Sequence, residues 1–185
     1  MKTSNVYEKL TDNNDLSNLF KWFAFRAIIA DFVEICDLFE FAVEYYKNKE
    51  IKQWQRGYDL VTIYRNIINK EMFIVRNDSG FLLCTFAISN QLPSYYPEDV
   101  KKNSNTWVIK SLCTNLHYKN SFIGRKNFVK IIKTADSNCI QKIYLDCVID
   151  NPILELFYKR YGFRRIAIAE HPRYAQDMVL MVREK

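Results

Sequence analysis

Two side chains that could act on a ligand lie near the carboxyl end of the chain, in the stretch YLDCVIDNPILELFYKRYGF. Asn151 follows a run of strand-forming residues, and Tyr158 comes seven residues later. Seven residues make about two helical turns, so both side chains would lie on one face of a helix. A carboxamide can hydrogen-bond a ligand, and a phenol with a pKa of about 10 can donate a proton. The structural alternatives are a simple helix cap for Asn151 and a core aromatic residue for Tyr158.

A second stretch, LCTNLHYKNSFIGR (residues 112–125), has the pattern of a strand, a turn and the start of a helix. Unpaired backbone amides and the helix dipole make a helix N-terminus a binding site for anions. Lys119, Arg125 and Lys126 add positive charge around this turn. The combination suits a phosphate or pyrophosphate, although one glycine and three cations also occur by chance in many α/β proteins.

The elements that would position these residues are predicted from hydrophobic periodicity and turn residues. Apolar residues at helical spacing predict a helix that begins at Asp31, with Asp31 and Glu34 as an aspartate version of the capping box. Residues 78–80, Asp-Ser-Gly, predict a hairpin turn, and strands at 106–114 and 141–148 each precede a helix. The predicted order is β-α-α-β-β-β-α-β-α-β-β, an α/β domain with a mixed sheet.

The composition fits one globular domain. The chain has 185 residues, 49% of them hydrophobic, with four glycines and four prolines. We expect a flexible arm over residues 1–18 and a single domain over residues 19–185. The formal net charge of +6 allows an anionic partner, but a composition rich in lysine explains it at least as well.

Several functional classes are disfavoured by the sequence. Five scattered cysteines without a C-x-x-C pair argue against a disulfide framework and a zinc site, and neither His117 nor His171 has neighbours that could complete a metal site. Charged residues interrupt the apolar stretch 19–46, which excludes a membrane span there, and the polar start does not resemble a signal peptide. We therefore expect a cytoplasmic protein without a metal. The oligomeric state is left open, with a homodimer among the options.

The chain resembles the GNAT superfamily of N-acetyltransferases in four features taken together. They are the cationic turn within residues 112–125, Asp-Asn-Pro at residues 150–152, the short aromatic helix that follows, and Tyr-Gly-Phe at residues 161–163. The resemblance extends from Phe25 to about Val182 and is sharpest over residues 112–166. It implies a GNAT-like α/β fold: a mixed, mostly antiparallel sheet of six or seven strands, helices on both faces, and a splay between the fourth and fifth strands. It also implies acetyl-CoA as the acyl donor and an amine as the acceptor.

In this family, backbone amides of a turn written Gln/Arg-x-x-Gly-x-Gly/Ala hold the pyrophosphate of acetyl-CoA. The matching residues here are Lys119, Asn120, Ser121, Phe122, Ile123 and Gly124, followed by Arg125. Lys119 keeps a charge but cannot form the planar fork of arginine. Phe122 replaces a glycine that lets the backbone approach a ligand closely. If the position requires a positive φ, Phe122 costs about 1–2 kcal/mol. With ordinary helical dihedrals only the bulk of its ring would matter, and the ring could turn inward.

The resemblance also implies roles for residues around the splay. The pantetheine arm would pair with backbone groups on the open strand edge at Leu112, Cys113 and Thr114. Asn151 matches the residue that hydrogen-bonds this arm. Tyr158 matches the tyrosine that protonates the departing thiolate of CoA.

Fewer residues of the sequence indicate where the acceptor amine would bind. Many family members carry an acid on the strand before the cofactor turn, where this chain has Lys110 and Ser111. Other carboxylates could serve as a general base, although each suits a solvated surface position better: Glu40, Glu44 and Glu71. Aromatic residues on predicted loops would surround the acceptor pocket or anchor those loops: Trp54, Tyr58, Tyr95, Tyr96 and Tyr174. An aromatic pocket suits a cationic or amphipathic amine.

Three functions are compatible with these features, and an acetyl-CoA-dependent N-acetyltransferase acting on a primary amine of a small molecule or peptide is favoured. The second is a GNAT-like binding or regulatory module without catalysis, motivated by Phe122, Asn120 and the missing carboxylate. The third, a nucleic-acid-binding domain, would need cations and exposed aromatic residues in one stripe. It is disfavoured because much of the clustered charge lies where a CoA phosphate would bind.

Overall fold

The structure is a computed structural model that describes residues 20, 23–54, 57–100, 105–118, 122–173 and 176–185. The predicted arm at residues 1–18 lies outside this part. The strands are β1 (Phe25–Arg26), β2 (Met72–Arg76), β3 (Leu82–Ser89), β4 (Thr106–Thr114), β5 (Lys142–Val148), β6 (Arg164–His171) and β7 (Gln176–Glu184). The helices are α1 (Phe32–Asn48), α2 (Leu60–Ile68), α3 (Ile123–Ser137) and α4 (Pro152–Lys159).

Within the described residues, the strands form one sheet in the order β1-β2-β3-β4-β5-β7-β6. Neighbouring strands are antiparallel except β4 and β5, which are parallel. The predicted mixed, mostly antiparallel sheet of six or seven strands is therefore confirmed, and so is the predicted element order.

Helices cover both faces of the sheet. Alternate residues of a strand point to opposite faces, so neighbouring residues of one strand show which helices lie on each face. Phe73 of β2 belongs to the apolar cluster that contains Phe128 of α3 and Tyr158 of α4. Its neighbour Ile74 belongs to the cluster that contains Phe39 of α1 and, from α2, Ile63. The helices α3 and α4 thus pack on one face, and α1 and α2 pack on the other.

The pairing between β4 and β5 is short. It joins residues 106–108 of β4 to residues 142–144 of β5 and ends at Val108. Both strands continue beyond this point, β4 to Thr114 and β5 to Val148. The predicted splay between the fourth and fifth strands is confirmed, and it leaves one edge of β4 open.

A β-bulge shapes the open part of β4. Thr85 pairs with Cys113 while Ala87 pairs with Lys110, so β4 has an extra residue at this point. Within the bulge, Ser111 has a φ of +53°, a left-handed conformation that non-glycine residues rarely adopt. Bulges of this kind change the direction of side chains beside functional sites.

The predicted capping box at the start of α1 was wrong. Asp31 precedes α1, but its side chain makes no capping hydrogen bond to that helix. One Asp31 oxygen instead accepts from the backbone N–H of Ile28, at 2.8 Å. Asp31 and Glu34 both pair with the guanidinium of Arg76 on β2, at 2.9 and 2.5 Å. A cation on a neighbouring strand thus engages both carboxylates.

In the described part of the chain, no three His, Cys, Asp or Glu side chains are grouped so that they could hold a metal ion. No helix of this part is long and apolar enough to cross a membrane. The five cysteines are free thiols, and all but Cys139 are buried.

Candidate active site

A cavity of about 270 Å³ lies where β4 and β5 part. Residues 109–112 of β4 line it together with Asp146 and Val148 of β5 and Tyr158 of α4. The loop between α1 and α2 and the turn between β6 and β7 supply much of the rest. Pockets for drug-sized ligands measure about 300–1,000 Å³, so this cavity is slightly smaller than a typical pocket of that kind.

Tyr158 is both a core aromatic residue and a wall of the cavity. It is only 5% exposed, and its ring centroid lies 5.3 Å from that of Phe128. Burial raises the pKa of its phenol well above 10, and nearby Cys147 and Asp146 add to the shift. The phenol is therefore fully protonated at neutral pH, and the raised pKa makes it a weaker acid than an exposed tyrosine. Its hydroxyl has no hydrogen-bond partner among the described residues.

Asp146 is a carboxylate in this cavity that the sequence analysis missed. Its Oδ2 accepts hydrogen bonds from the hydroxyls of Tyr95, at 2.7 Å, and Tyr96, at 3.3 Å. Burial raises the pKa of Asp146, while these hydrogen bonds and the charge of Lys110 oppose the shift. A carboxylate whose pKa moves toward neutrality becomes a better general base. A sequence signal existed: Asp146, which is half-buried, interrupts the apolar run of residues 143–148, and a charged side chain within such a run often has a function.

The carboxylates considered from the sequence do not line the cavity. Glu40 and Glu44 are exposed on α1. Glu71 binds Lys110 at 2.8 Å and accepts a hydrogen bond from Ser89 at 2.7 Å. Glu71 therefore fixes the side chain of a cavity residue, Lys110, without reaching the cavity itself.

Aromatic residues form one wall, and they also hold the loop between α1 and α2. Trp54 and Tyr58 line the cavity, as does Tyr95. The ring of Tyr58 stacks on that of Phe39 at 3.9 Å, and Trp54 packs edge-on against Tyr58 at 5.2 Å. Both interpretations from the sequence therefore apply to Trp54 and Tyr58: they line the pocket and they anchor the loop. Tyr96 is buried and does not line the cavity, and Tyr174 lies outside the described residues.

Hydrogen bonds connect this wall to the bulge in β4. The hydroxyl of Tyr58 is hydrogen-bonded to the hydroxyl of Ser111, which also accepts a hydrogen bond from Asn66 Nδ2 at 3.1 Å. Asn66 is only 3% exposed, so the bulge is tied to the interior of α2. These contacts hold the left-handed conformation of Ser111.

The far end of the cavity is closed by contacts between the same loop and the turn after β6. Asp59, which caps α2, forms an ion pair with Arg173. The Nε2 of Gln176 donates a hydrogen bond to the carbonyl oxygen of Lys52 at 2.6 Å. Burial and the neighbouring Arg173 lower the pKa of His171, so this cavity residue is neutral at physiological pH.

The predicted phosphate turn lies partly outside the described residues, namely at Lys119, Asn120 and Ser121. Phe122 is described and precedes α3 with a φ of +56° and a ψ of +17°. It is 65% exposed, so its ring does not turn into the core. Of the two alternatives left open by the sequence, the positive φ is the one found. A groove beside the turn is lined by Phe122, Arg125, Lys126, Val129 and Lys130.

Gly124 permits a close approach between α3 and β4. A Cβ at this position would lie 2.7 Å from the Oγ1 of Thr114, closer than such atoms come in proteins. The glycine therefore lets the first turn of α3 rest against the end of β4. Ile123 packs against the core beside it. Arg125 donates a hydrogen bond from Nε to the hydroxyl of Tyr161 at 2.9 Å.

Three predicted cofactor residues remain, namely Leu112, Cys113 and Asn151, and their side chains have different surroundings. Leu112 lines the cavity, whereas the side chain of Cys113 is buried in the cluster with α1 and α2. Burial raises the pKa of that thiol well above its ordinary value, so Cys113 is an unreactive core residue. The Oδ1 of Asn151 accepts a hydrogen bond from the N–H of Leu154 at 3.2 Å, which confirms the predicted helix cap. Its contact with pantetheine stays a prediction.

By sequence alone, no protein-family model and no curated protein matches the chain. Solved structures do match it in three dimensions. An acetyltransferase of the GNAT family from Listeria monocytogenes 4b F2365 has a TM-score of 0.72 at 19% identity, covering 88% of this chain and 94% of its own. A GNAT-family acetyltransferase from Streptococcus agalactiae 2603 has a TM-score of 0.71 at 14% identity, with the same coverage.

A third similar structure is the ribosomal-protein-S18-alanine N-acetyltransferase from Escherichia coli. Its TM-score is 0.63 at 10% identity, covering 87% of this chain and 92% of its own. At such low identities these similarities concern the fold. The chain has the fold of the GNAT-family acetyltransferases, as the sequence resemblance predicted.

Proposed function

We propose that the protein is an N-acetyltransferase that moves an acetyl group from acetyl-CoA to a primary amine of a small molecule or peptide. The observation that carries the proposal is the meeting of a proton donor and a carboxylate, Tyr158 and Asp146, in the cavity at the open edge of β4. The fold that the chain shares with acetyltransferases supports the same reaction class.

An open strand edge and nearby cations at the splay support acetyl-CoA as the ligand. Among the described strands, β4 has no partner on its β5 side after Val108, so its backbone can pair with the amide groups of a pantetheine arm at Leu112, Cys113 and Thr114. Arg125 and its neighbours on α3 supply positive charge for the phosphates. In this proposal Lys119, Asn120, Ser121, Ile123 and Gly124 complete the phosphate turn, and Asn151 binds the arm.

Acetyl-CoA supplies the acetyl group as an activated thioester. In the proposed reaction the amine nitrogen forms a bond to the acetyl carbon, and the carbon–sulfur bond breaks. Asp146 accepts the proton that the amine loses, which its raised pKa favours. Tyr158 gives its proton to the departing sulfur. Tyr95 and Tyr96 hold the carboxylate through one oxygen, which leaves Asp146 Oδ1 available for the amine.

Cofactor binding is tested by titration calorimetry of acetyl-CoA into the protein, with dephospho-CoA for comparison. We expect saturable binding at micromolar concentrations that is weaker for dephospho-CoA, because the cations near the turn bind the missing phosphate. No heat at millimolar ligand would contradict the proposal.

Catalysis is tested by Tyr158→Phe. We expect nearly unchanged acetyl-CoA affinity and a lower kcat, because the hydroxyl acts mainly in the transition state. Tyr144→Phe is the matched control: it removes a hydroxyl from another buried ring, one that does not line the cavity. An unchanged kcat in Tyr158→Phe would exclude Tyr158 as the proton donor.

A binding or regulatory module without catalysis is the second candidate. It is favoured by one observation, the exposed Phe122 with a positive φ at a position where the family turn has glycine. Such a module would bind acetyl-CoA weakly or not at all and would release no CoA with any amine. The two candidates are therefore separated by the calorimetry and by an assay of thiol release.

A further inference from the structure

Helix α2 is apolar on its outer side as well as on the side that packs against the domain. Ile63 and Ile67 lie on the inner side and are at most 5% exposed. Four apolar side chains on the other side are 41–55% exposed, namely Leu60, Val61, Tyr64 and Ile68. A helix that is apolar all round is normally buried, so this outer side indicates that a partner binds there.

The start of α1 extends the exposed apolar surface. Phe32 of α1 contacts Tyr64 of α2, with ring centroids 6.0 Å apart. Val33, the next residue, is 66% exposed. Ile29 lies in the single helical turn before α1, which also contacts α2, and is 54% exposed. Six exposed apolar side chains thus form one surface, the α1–α2 patch: Ile29, Val33, Leu60, Val61, Tyr64 and Ile68.

The area of the α1–α2 patch suits a dimer. Fully burying an aliphatic side chain removes about 60–120 Å² from water, and an aromatic ring removes about 150–250 Å². The six side chains, each about half exposed, therefore present roughly 300–400 Å² of apolar surface. Because homodimer interfaces are about 65% apolar, the whole interface would bury about 500–600 Å² per copy, or about 1,000–1,200 Å² in total. Specific interfaces begin near this size.

The charges beside the patch favour a second copy of the chain as the partner. Arg65 follows Tyr64 on α2 and is exposed. Asp37 and Glu40, four and seven residues after Val33, are exposed on the same outer side of α1. Charges of both signs allow the patch to complement itself across a two-fold axis. A membrane surface would instead require mainly cations around the apolar residues.

The residues before the described part are a less suitable occupant of the patch. Phe20 is the first described residue, and it is buried in the cluster that contains Phe128 of α3. The described part therefore begins on the face of the sheet opposite to α1 and α2.

We propose that the α1–α2 patch joins two copies of the chain across a two-fold axis, with α2 of one copy facing α2 of the other. The patch shares no lining residue with the cavity at the splay or with the groove beside Phe122. The proposed interface is therefore separate from the candidate active site and does not depend on the proposed function.

The test is sedimentation equilibrium of the full chain over a range of protein concentrations. We expect a mass that rises with concentration to twice the mass of one chain. Ile68→Glu and Val33→Glu each place a charge in the patch, on α2 and α1, and each should raise the dissociation constant at least about tenfold. Ile153→Glu is the matched control, because it makes the same change at an isoleucine of α4 that is 75% exposed, and it should associate like the parent.

Four results would overturn the inference. The first is a full chain that stays monomeric at about 100 μM. The second is association that neither Ile68→Glu nor Val33→Glu weakens, which would place the interface elsewhere. The third is a monomeric full chain whose free energy of unfolding falls in Ile68→Glu, which would assign the patch to a contact within one chain. The fourth is a monomeric full chain that binds phosphatidylcholine vesicles through the patch.

Discussion

Replacement of Phe122 separates two effects of this residue, its backbone conformation and its ring. The φ of +56° costs a non-glycine residue about 1–2 kcal/mol, which Phe122→Gly removes. The ring is 65% exposed. An aromatic side chain that buries about 200 Å² when fully covered therefore loses roughly 70 Å² here, or about 1.8 kcal/mol. The two terms nearly cancel, so we expect similar stability for Phe122→Gly. Phe122→Ala, which loses the ring but keeps the backbone cost, should be about 1–2 kcal/mol less stable.

The same variants report on the cofactor turn. If the ring obstructs the pyrophosphate, Phe122→Gly should bind acetyl-CoA about tenfold more tightly, a difference of about 1.4 kcal/mol. Phe122→Asn, whose short polar side chain tolerates this backbone conformation, should also bind more tightly. Titration calorimetry measures the affinities and urea unfolding measures the stabilities. Phe81→Ala is the control, because it removes a similarly exposed ring from the β2–β3 hairpin.

Weaker acetyl-CoA binding by Phe122→Gly would refute this reasoning. It would show that the ring contacts the ligand and that Phe122 has replaced the glycine for a function of its own. An equal stability of the Gly and Ala variants would refute the backbone argument, because those two differ mainly in their tolerance of a positive φ.

Two further predictions concern the cavity and the turn. Asp146→Asn should lower kcat/KM by about 10²–10⁴ and leave acetyl-CoA affinity nearly unchanged, and a change below twofold would exclude Asp146 as the base. Burial raises the pKa of Asp146 above its value in the unfolded chain, so ionisation of Asp146 destabilises the folded state as the pH rises. Asp146→Asn cannot ionise and escapes this destabilisation. In urea unfolding, the stability of the variant relative to the parent should therefore be higher at pH 8 than at pH 4. Gly124→Ala places a methyl group against Thr114 and should cost about 1–3 kcal/mol of folding free energy. Thr114→Ala should relieve that cost in a double-mutant cycle, whereas additive effects would contradict the contact.

The parts of the fold that follow from local signals could be predicted. The turn at residues 78–80 joins β2 to β3, and Asn151 caps α4 with Pro152 at its first position. Gly162 follows that helix with a φ of +84°. In each case the residues that determine the conformation are close together in the chain. The splay and the mostly antiparallel pairing followed only from the family resemblance, because strand pairing depends on contacts between distant residues.

The features that could not be predicted depend on distant partners. The capping box failed because Arg76, more than 40 residues away, binds both carboxylates. Asp146 was missed because its proposed role depends on β4 parting from β5 and on the two tyrosines of a separate loop. The left-handed Ser111 has no local signal either, because its conformation is held by side chains of α2 and of the loop before it.

The short pairing of β4 with β5 also bears on how the domain opens. Within the described sheet, backbone pairing between the half made of β1–β4 and the half made of β5, β7 and β6 is limited to residues 106–108 of β4. Free energies of local opening differ across a protein, and such a seam is a natural boundary between two cooperative units. A ligand that bonds to both halves would close the seam. Bound acetyl-CoA should therefore slow amide hydrogen exchange in β4 and β5 more than in β2 or β6.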